Sequence, residues 1–464
     1  MPEKIVSIEE GTQFDKLLRK YLWSVDVVSG NDPQSPLGGD HGYIDADARK
    51  HKLTPPVVYG DRTKPKVEIY TQHGLGALPT VLNTLLNSAD ADPDRVEVLR
   101  REIKVASVLL RASVAGEDTG VEMPTFQERW SAVTGEEEPA SLASFNPEIL
   151  AIRDHMKTLL SRDGVVVTNP RTFKSNMEQW ESRQPTLSLA NEPQIAEHIK
   201  NEVLLFLKQF KELARSNPRL APYLNYLNID AYTIGMDSKM KADASSAYDG
   251  GEDATGKPLC KALFEWNSAR PATAEDIRYI ARHEATHWIN TALMDLQRRN
   301  RELGPEAALL TMSSGRAINE EGLAQVMNEM LHGGSVQGVV DARGAIWGIL
   351  TLQDQLQDIA RMVASIGWEI EYASLSPAER CRAIQHVIEH KLLQTTHIAA
   401  KYAAPDRKFW REDPAGQMYG VSYHRGSRAY REAMGKYGIP KVLAVGMHTE
   451  GLVDIEAFKK KVAS

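Results

Sequence analysis

The stretch from Ala269 to Leu293 reads ARPATAEDIRYIARHEATHWINTAL, and it decides how the rest of the chain is interpreted. Thr273 and Asp276 have the spacing of a helix-capping residue and its partner three positions later. No Gly or Pro follows until Gly304, so nothing in between would break a helix. The stretch therefore predicts one long helix that begins next to Thr273.

The centre of this predicted helix is an H-E-x-x-H pattern, formed by His283, Glu284 and His287. Residues four apart share one face of a helix, so the two imidazoles can bind a single Zn²⁺ at about 2.0–2.1 Å each. Glu284 lies too far round the helix to bind the same ion and can instead take up and return a proton. The pattern predicts one catalytic zinc ion, with Glu284 as general base and then acid.

A catalytic zinc site needs a third protein ligand and an open fourth position. The following segment RAINEEGLAQVMNEML, from Arg316 to Leu331, is predicted to be a helix and offers Glu320 and Glu321. Because Gly322 and Ala324 are small, we expect this helix to approach the H-E-x-x-H helix closely. Either glutamate can then return to the histidine pair.

A second pattern, of the inverted type H-x-x-E-H, is formed by His386, Glu389 and His390 on another predicted helix. Enzymes of the inverted type resemble one another in taking their third ligand, a Glu, some 75 or more residues later, and only 74 residues follow His390. We therefore predict that this pair does not hold the zinc ion.

The combination of HEATH with the later E-E-G-L-A resembles the gluzincin metallopeptidases, whose pattern is HExxH followed by E-G-x-A. This resemblance, which covers Thr273 to about Ala433, implies a zinc peptidase with Glu321 as third ligand. EEGLA is also similar to the QEGLA motif of the family that contains the tubulin tyrosine carboxypeptidases and its bacterial relatives. A bacterial HE-x-x-P-G-H-H…EGWA group has a later P-G-Q…Y-x-x-G segment, which the residues from Pro414 to Gly426 resemble.

In gluzincins a Tyr or His donates a hydrogen bond to the oxyanion that forms during hydrolysis. The Y-x-x-G resemblance favours Tyr423 for this role. The same segment also offers Tyr419, His424 and Tyr430.

Two arginines beside this tyrosine, Arg425 and Arg428, are three residues apart and would share a helix face. A guanidinium binds a carboxylate through two parallel hydrogen bonds, which suits the free C-terminus of a peptide. The G-A-M-E-N motif with which aminopeptidases anchor their substrates is absent from this sequence. We therefore expect a carboxypeptidase, with these two arginines binding the substrate.

Composition limits the other functional classes. The 464 residues include 55 Lys and Arg against 62 Asp and Glu, a formal net charge of -7, so no overall basic excess favours nucleic acid as a partner. With Cys260 and Cys381 as its only cysteines, the chain has no four-cysteine zinc site. The sequence has no apolar run long enough for a membrane span and no signal peptide at its start, so we expect a cytoplasmic protein that acts on a peptide or protein.

The predicted fold class is α+β and mainly helical, with a small sheet packed on a helical body that carries a zincin-like HExxH active-site helix. Strands are predicted at Gly164–Asn169, Asp230–Met236 and Ala262–Trp266, with a loop from Ser245 to Pro258. The last of these strands, ALFEW, is the expected sheet edge on which a peptide adds. We divide the chain into an N-terminal region, residues 1–190, which caps the cleft, and a zincin-like catalytic domain, residues 191–464.

Two functions remain open on these residues. The first is a zinc-dependent hydrolase, specifically a metallopeptidase. The alternative is a helical binding or scaffold protein whose HEATH segment holds a structural metal or none.

Overall fold

The protein is described here from a computed structural model, which describes residues 37–39, 93–115, 120–165, 173–183, 186–187, 192–240, 243–269, 272–311, 314–394, 396–403 and 414–464. Its architecture is α+β and mainly helical, with a three-stranded mixed sheet and two short strand pairs among these residues. This confirms the predicted α+β, mainly helical fold class with a small sheet, whereas the zincin-like character of the HExxH helix stays a prediction.

The first part of the chain contains β1 (Leu37–Gly39), α1 (Pro93–Val114), α2 (Phe126–Thr134), α3 (Asn146–Arg162), α4 (Phe173–Arg183), β2 (Thr186–Leu187) and α5 (Glu192–Ala214). The sheet region and the motif helix follow as β3 (Tyr232–Met236), β4 (Ala244–Glu252), β5 (Pro258–Trp266), β6 (Ala272–Thr273) and α6 (Ala274–Arg299). The remainder contains β7 (Leu309–Thr311), α7 (Gly315–Leu331), α8 (Val336–Arg343), α9 (Ala345–Ile366), α10 (Pro377–His390), α11 (Thr396–Ala403), α12 (Pro414–Tyr437), α13 (Ile439–Gly446) and α14 (Ile455–Ala463).

The mixed sheet has the order β3-β5-β4, with β3 parallel and β4 antiparallel to β5. Strand β5 contains the predicted strand ALFEW, but it is the central strand, because both of its sides are hydrogen-bonded. The prediction that ALFEW forms the sheet edge was therefore wrong. The edges are β3 and β4.

The loop predicted from Ser245 to Pro258 was also wrong in its first half, which forms β4. Its Gly and Asp content indicates a turn, yet Gly250 and Gly251 lie inside the strand at positive φ, where the register of β4 on β5 shifts. Such bulges need glycine because an L side chain is disfavoured in that backbone conformation. The turn itself is confined to the residues around Asp253, whose side chain accepts from the backbone N–H groups of Thr255 and Lys257.

The capping predicted for the motif helix is confirmed. The side chain of Thr273 accepts from the backbone N–H of Asp276, and the Asp276 carboxylate accepts from the N–H of Thr273 at 3.0 Å. Two otherwise unpaired N–H groups are satisfied in this way, which fixes where α6 begins. The last long helix, α12, begins at Pro414. The predicted strand at Gly164–Asn169 lies mostly outside the described residues.

One hydrophobic cluster joins α1 and α3 to α5, α6, α7, α9 and α12. It therefore contains side chains from both sides of the predicted domain boundary at residue 190, which remains a prediction. Among the described residues, none of the helices has the length and apolar character that a membrane span requires.

Helices α7 and α12 cross at two glycines. A Cβ on Gly322 would lie 2.4 Å from the backbone of Gly426, and one on Gly426 would lie 2.2 Å from the carbonyl oxygen of Ile318. Only a residue without a side chain fits either position. We expected the small size of Gly322 to allow close approach of the H-E-x-x-H helix. That expectation was wrong, because Gly322 faces α12 and allows that helix to approach instead.

Candidate metal centre

The motif helix α6 is fixed next to its histidines by Arg282, a wholly buried arginine. Its Nε donates to Glu202 on α5 at 2.5 Å, and its two terminal nitrogens donate to Gln209 on α5 and Asn328 on α7 at 2.9 and 3.3 Å. A buried charge is tolerated when it is paired and hydrogen-bonded. These contacts hold α6 against the two helices that flank it, one residue before His283.

Three predicted metal ligands meet between α6 and α7. The Nε2 atoms of His283 and His287 are 3.2 Å apart. Glu321 Oε2, on α7, lies 3.5 Å from the first and 3.4 Å from the second. Among the described residues, this is the one group of three or more His, Cys, Asp or Glu side chains whose ligand atoms are close enough to hold a metal ion.

The spacing of these three atoms fits zinc. Ligands bound at about 2.0–2.1 Å in a tetrahedron lie about 3.3 Å from one another. The three separations in the protein, 3.2, 3.4 and 3.5 Å, lie within about 0.2 Å of that value. Two histidines and a carboxylate would supply three protein ligands, which is the usual complement of a catalytic rather than a structural zinc site.

The electrostatics of the group favour positive charge between the helices. Burial acts to lower the pKa of His287, but the surrounding carboxylates, Glu321 first and then Glu284 and Glu320, together raise that pKa to about 9. Burial acts to raise the pKa of Glu321, and the two histidines in turn hold it well below its usual value. A permanent carboxylate facing two imidazoles stabilises a cation at this point, either a proton or a metal ion.

Glu284 lies on the same helix beside the triad and is half-buried. Burial, assisted by the negative charge of Glu321, raises its pKa above the usual value although both histidines act in the opposite direction. Tyr232, the first residue of β3, is a buried neighbour: burial and then the charge of Glu284 raise the pKa of its phenol well above normal. A carboxylate with a raised pKa has the property that a general base and acid requires near neutral pH.

Tyr423 on α12 is placed beside the triad. Its ring is nearly parallel to that of His283, with an interplanar angle of 19° and centroids 6.3 Å apart. Two glycines position this turn of α12: Gly426 against α7, and Gly420 against α9, where a Cβ would lie 2.8 Å from the Cβ of Arg361. The tyrosine is therefore held by the close packing of three helices.

The other tyrosine and histidine candidates have different partners. His424 Nε2 lies 3.1 Å from Glu148, and the Tyr430 hydroxyl donates to Asn319 at 3.0 Å in a fully buried position. The side chain of Tyr419 lies outside the described residues. Among the candidates whose side chains are described, Tyr423 is the one in ring contact with a triad histidine.

Glu320 points away from the histidines although it is the neighbour of Glu321. Its carboxylate accepts from Nε of Arg316 at 2.9 Å, within a buried pair. Of the two glutamates that the sequence offered as the third ligand, the structure therefore places Glu321 in the triad.

Arg425 and Arg428 are not brought together with the triad. Arg425 forms ion pairs with Glu136 at 2.8 Å and Glu456 at 3.1 Å. Arg428 is paired with Glu432 one turn later on the same helix, and 62% of its side chain is exposed. Both arginines are engaged with carboxylates of the protein itself.

Sequence reasoning missed the arginine that does lie next to Tyr423. The guanidinium of Arg361 on α9 is 4.0 Å from the centre of the Tyr423 ring. The signal was present in the sequence: Asp354, Asp358 and Arg361 follow one another at intervals of four and three in an otherwise uncharged helix, so they share a face. Charged residues on a face of a helix that must pack indicate a buried polar cluster.

The inverted H-x-x-E-H pattern lies on α10. His386 and His390 have ring centroids 4.5 Å apart, and 54% of the His390 side chain is exposed. Among the described residues, no further ligand completes a group of three here.

The comparisons with known proteins leave the family open. The chain matches no protein-family model and no curated protein. Among solved structures it is similar to a protein from Colwellia psychrerythraea that is described as a lipoprotein. The two are 13% identical, the match covers 95% of this chain and 68% of the other, and the TM-score is 0.48. A likeness at this level carries no argument about function.

Proposed function

We propose that this protein is a zinc-dependent hydrolase, specifically a metallopeptidase of the gluzincin type. The observation that carries the proposal is the triad of His283, His287 and Glu321. Its three ligand atoms have the mutual separations that three ligands of a tetrahedral zinc site would have. One Zn²⁺ ion is held by these three residues.

When bound, zinc acts as a Lewis acid that polarises a carbonyl group and lowers the pKa of a coordinated water toward about 7. Glu284 would accept the proton of the attacking water and deliver it to the leaving amine, a role that its raised pKa supports. Tyr423 would donate a hydrogen bond to the carbonyl oxygen as negative charge develops there. The ring contact between Tyr423 and His283 supports this role.

A Glu284→Gln variant tests the proposal because it separates metal binding from chemistry. The amide has the shape of the carboxylate and cannot accept a proton, so we expect zinc content to be unchanged and hydrolysis of a peptide library to fall about 10²–10⁴-fold. Zinc is measured by elemental analysis of the purified protein and products by mass spectrometry.

The matched control is Glu320→Gln, which alters a neighbouring carboxylate that pairs with Arg316. This variant should keep both zinc and activity. A protein that binds no zinc, or that hydrolyses no peptide when loaded with it, would instead be a helical binding or scaffold protein.

A further inference from the structure

Arg361 is a partly buried arginine beside the candidate metal centre, and the proposed chemistry does not use its charge. Its guanidinium lies 4.0 Å from the centre of the Tyr423 ring and 5.9 Å from that of Tyr402 on α11. Aromatic faces attract a cation, and more strongly when water is excluded. Only 19% of the Arg361 side chain is exposed. The guanidinium is therefore held at a defined position next to the tyrosine that contacts His283.

Most of the hydrogen-bonding capacity of Arg361 is uncommitted. An arginine has five N–H donors in a planar fork. Within the part of the chain that the structure describes, its side chain donates one hydrogen bond, from Nη1 to Asp358 at 2.8 Å. Asp358 also accepts from Gln325 at 2.9 Å, so the pair is anchored to α7. The remaining donors are available to a bound molecule.

The positive charge of Arg361 is only partly balanced. Burial and the neighbouring charge of Asp354 raise the pKa of Asp358 to about 8, so that carboxyl group is partly protonated at neutral pH. Nearby, Arg431 is paired with Glu329 at 2.9 Å. A cation with a weakened counter-ion in a site of low water access attracts an anionic group of a substrate.

We propose that Arg361 is a specificity-determining residue that binds a substrate carboxylate next to the scissile bond, so that the site releases a C-terminal residue. The guanidinium lies 4.0 Å from the centre of the Tyr423 ring, and that ring contacts His283, so a single aromatic ring connects Arg361 to the triad. The proposal rests on the proposed function. It moves carboxylate recognition from Arg425 and Arg428, which are paired with glutamates, to an arginine inside the fold.

The test measures binding, so that it does not depend on turnover. The probe is a library of N-acetylated tripeptides, each prepared as free acid and as carboxamide. It is equilibrated with zinc-loaded full-length protein carrying Glu284→Gln, and retained peptides are quantified by mass spectrometry. We expect free acids to be retained about 10- to 150-fold more strongly than their amides, which is the range of a hydrogen bond to a charged group.

Arg361→Met, added to this background, keeps the volume of the side chain and should abolish the preference for acids. Arg428→Met is the matched control and should leave the preference unchanged. Arg361→Lys keeps the charge without the planar fork and should reduce the preference several-fold, and it serves as the test if the methionine variant does not fold.

Equal retention of acids and amides by the parent protein would overturn the proposal. So would a preference that survives the Arg361 substitutions, because the carboxylate would then bind elsewhere, for example on zinc. The proposed function is judged separately by zinc content and by hydrolysis of any peptide bond in the wild-type protein. Internal cleavage of peptides with no preference for free acids would support the proposed function and contradict the role proposed for Arg361.

Discussion

Helices α6 and α10 each carry two histidines four residues apart, with ring centroids at 4.9 Å in α6 and 4.5 Å in α10. The two pairs differ in what faces them. Glu321 on α7 lies within 3.5 Å of both histidines of α6, whereas the pair on α10 has no third ligand among the described residues and His390 is largely exposed. Helical spacing brings two imidazoles together, but a second helix decides whether they form a candidate metal centre.

The difference between the two pairs also has an electrostatic side. The histidines of α6 face a buried carboxylate, which together with the other nearby carboxylates raises the pKa of His287. Glu389, the acid nearest to the α10 pair, instead accepts from Gln385 at 2.9 Å and lies 4.0 Å from His390. A carboxylate delivered from another helix can lie between two imidazoles, whereas one from the same helix lies beside them.

Removal of Glu321 should make the histidine pair of α6 resemble the pair of α10. The resulting loss of zinc affinity is the largest effect that we expect. Glu321→Gln leaves α6 with an isolated pair like that of α10, and zinc affinity should fall by more than about 100-fold, because the loss of a mere supporting residue already costs about 10–100-fold. Titration against a zinc chelator measures the change. Glu320→Gln, His386→Ala and His390→Ala should bind zinc as the wild type does. Loss of zinc from Glu320→Gln but not from Glu321→Gln would contradict the assignment.

A further difference between the histidine pairs of α6 and α10 is Tyr423, which contacts His283 of α6. Tyr423→Phe removes a hydrogen-bond donor without changing the ring, and kcat for peptide hydrolysis should fall about 10²–10³-fold while zinc content stays the same. Steady-state kinetics on the best library substrate would measure this. Tyr402→Phe is the matched control, since that ring lies beside Arg361 as well, and its effect should be small. An equal loss in both variants would mean that Tyr423 acts only through packing.

The glycine crossing of α7 and α12 offers a way to displace α7, the helix that carries Glu321, by a single substitution. Gly426→Ala places a Cβ 2.2 Å from the Ile318 carbonyl oxygen, which forces the two helices apart and displaces Glu321 with them. We expect a loss of about 1–3 kcal/mol in the free energy of unfolding, measured by urea denaturation, together with weaker zinc binding. Gly435→Ala, on the same helix with no atom within 4 Å of the added Cβ, should be neutral or slightly stabilising. Equal stability of the two variants would show that the crossing is not tight.

The pH dependence of zinc binding gives the smallest expected effect. Because the pKa of His287 is raised to about 9 in the metal-free protein, zinc must displace a proton at any pH below that value. Zinc affinity should therefore rise about tenfold for each pH unit between about pH 7 and 9 and level off above. Competition titrations at several pH values would measure the slope. A constant affinity from pH 7 to 9 would mean that His287 is already neutral there.

Much of the site could be predicted because its determinants are local. The cap at Thr273 and the spacing of His283 and His287 depend on residues within a few helical turns, and the structure has both. The prediction of Glu321 as third ligand also required the E-E-G-L-A pattern in the helix that follows α6. The charged face of α9 is visible in the sequence, but the position of Arg361 beside Tyr423 and Tyr402 could not be predicted. It depends on α9, α11 and α12, which meet only in the tertiary structure.

The errors have the same origin. Arg425 has the right sequence neighbours for a substrate-binding residue, but its partners Glu136 and Glu456 come from distant parts of the chain. Strand β4 was missed because Gly250 and Gly251 resemble a turn until the pairing with β5 is known. ALFEW was recognised as a strand, but the number of its neighbours is a property of the sheet.

The order of the ligands along the chain has a consequence for biosynthesis. His283, His287 and Glu321 leave the ribosome together, whereas Tyr423 and Gly426 follow roughly a hundred residues later, a delay of roughly 5–20 s at ordinary rates of translation. During that interval the nascent chain carries all three zinc ligands, but α12, which covers α7 at the glycine crossing, has not yet been made. On the proposed function, we therefore expect metal-binding capacity to precede hydrolytic competence, which also needs Tyr423 of α12 in place.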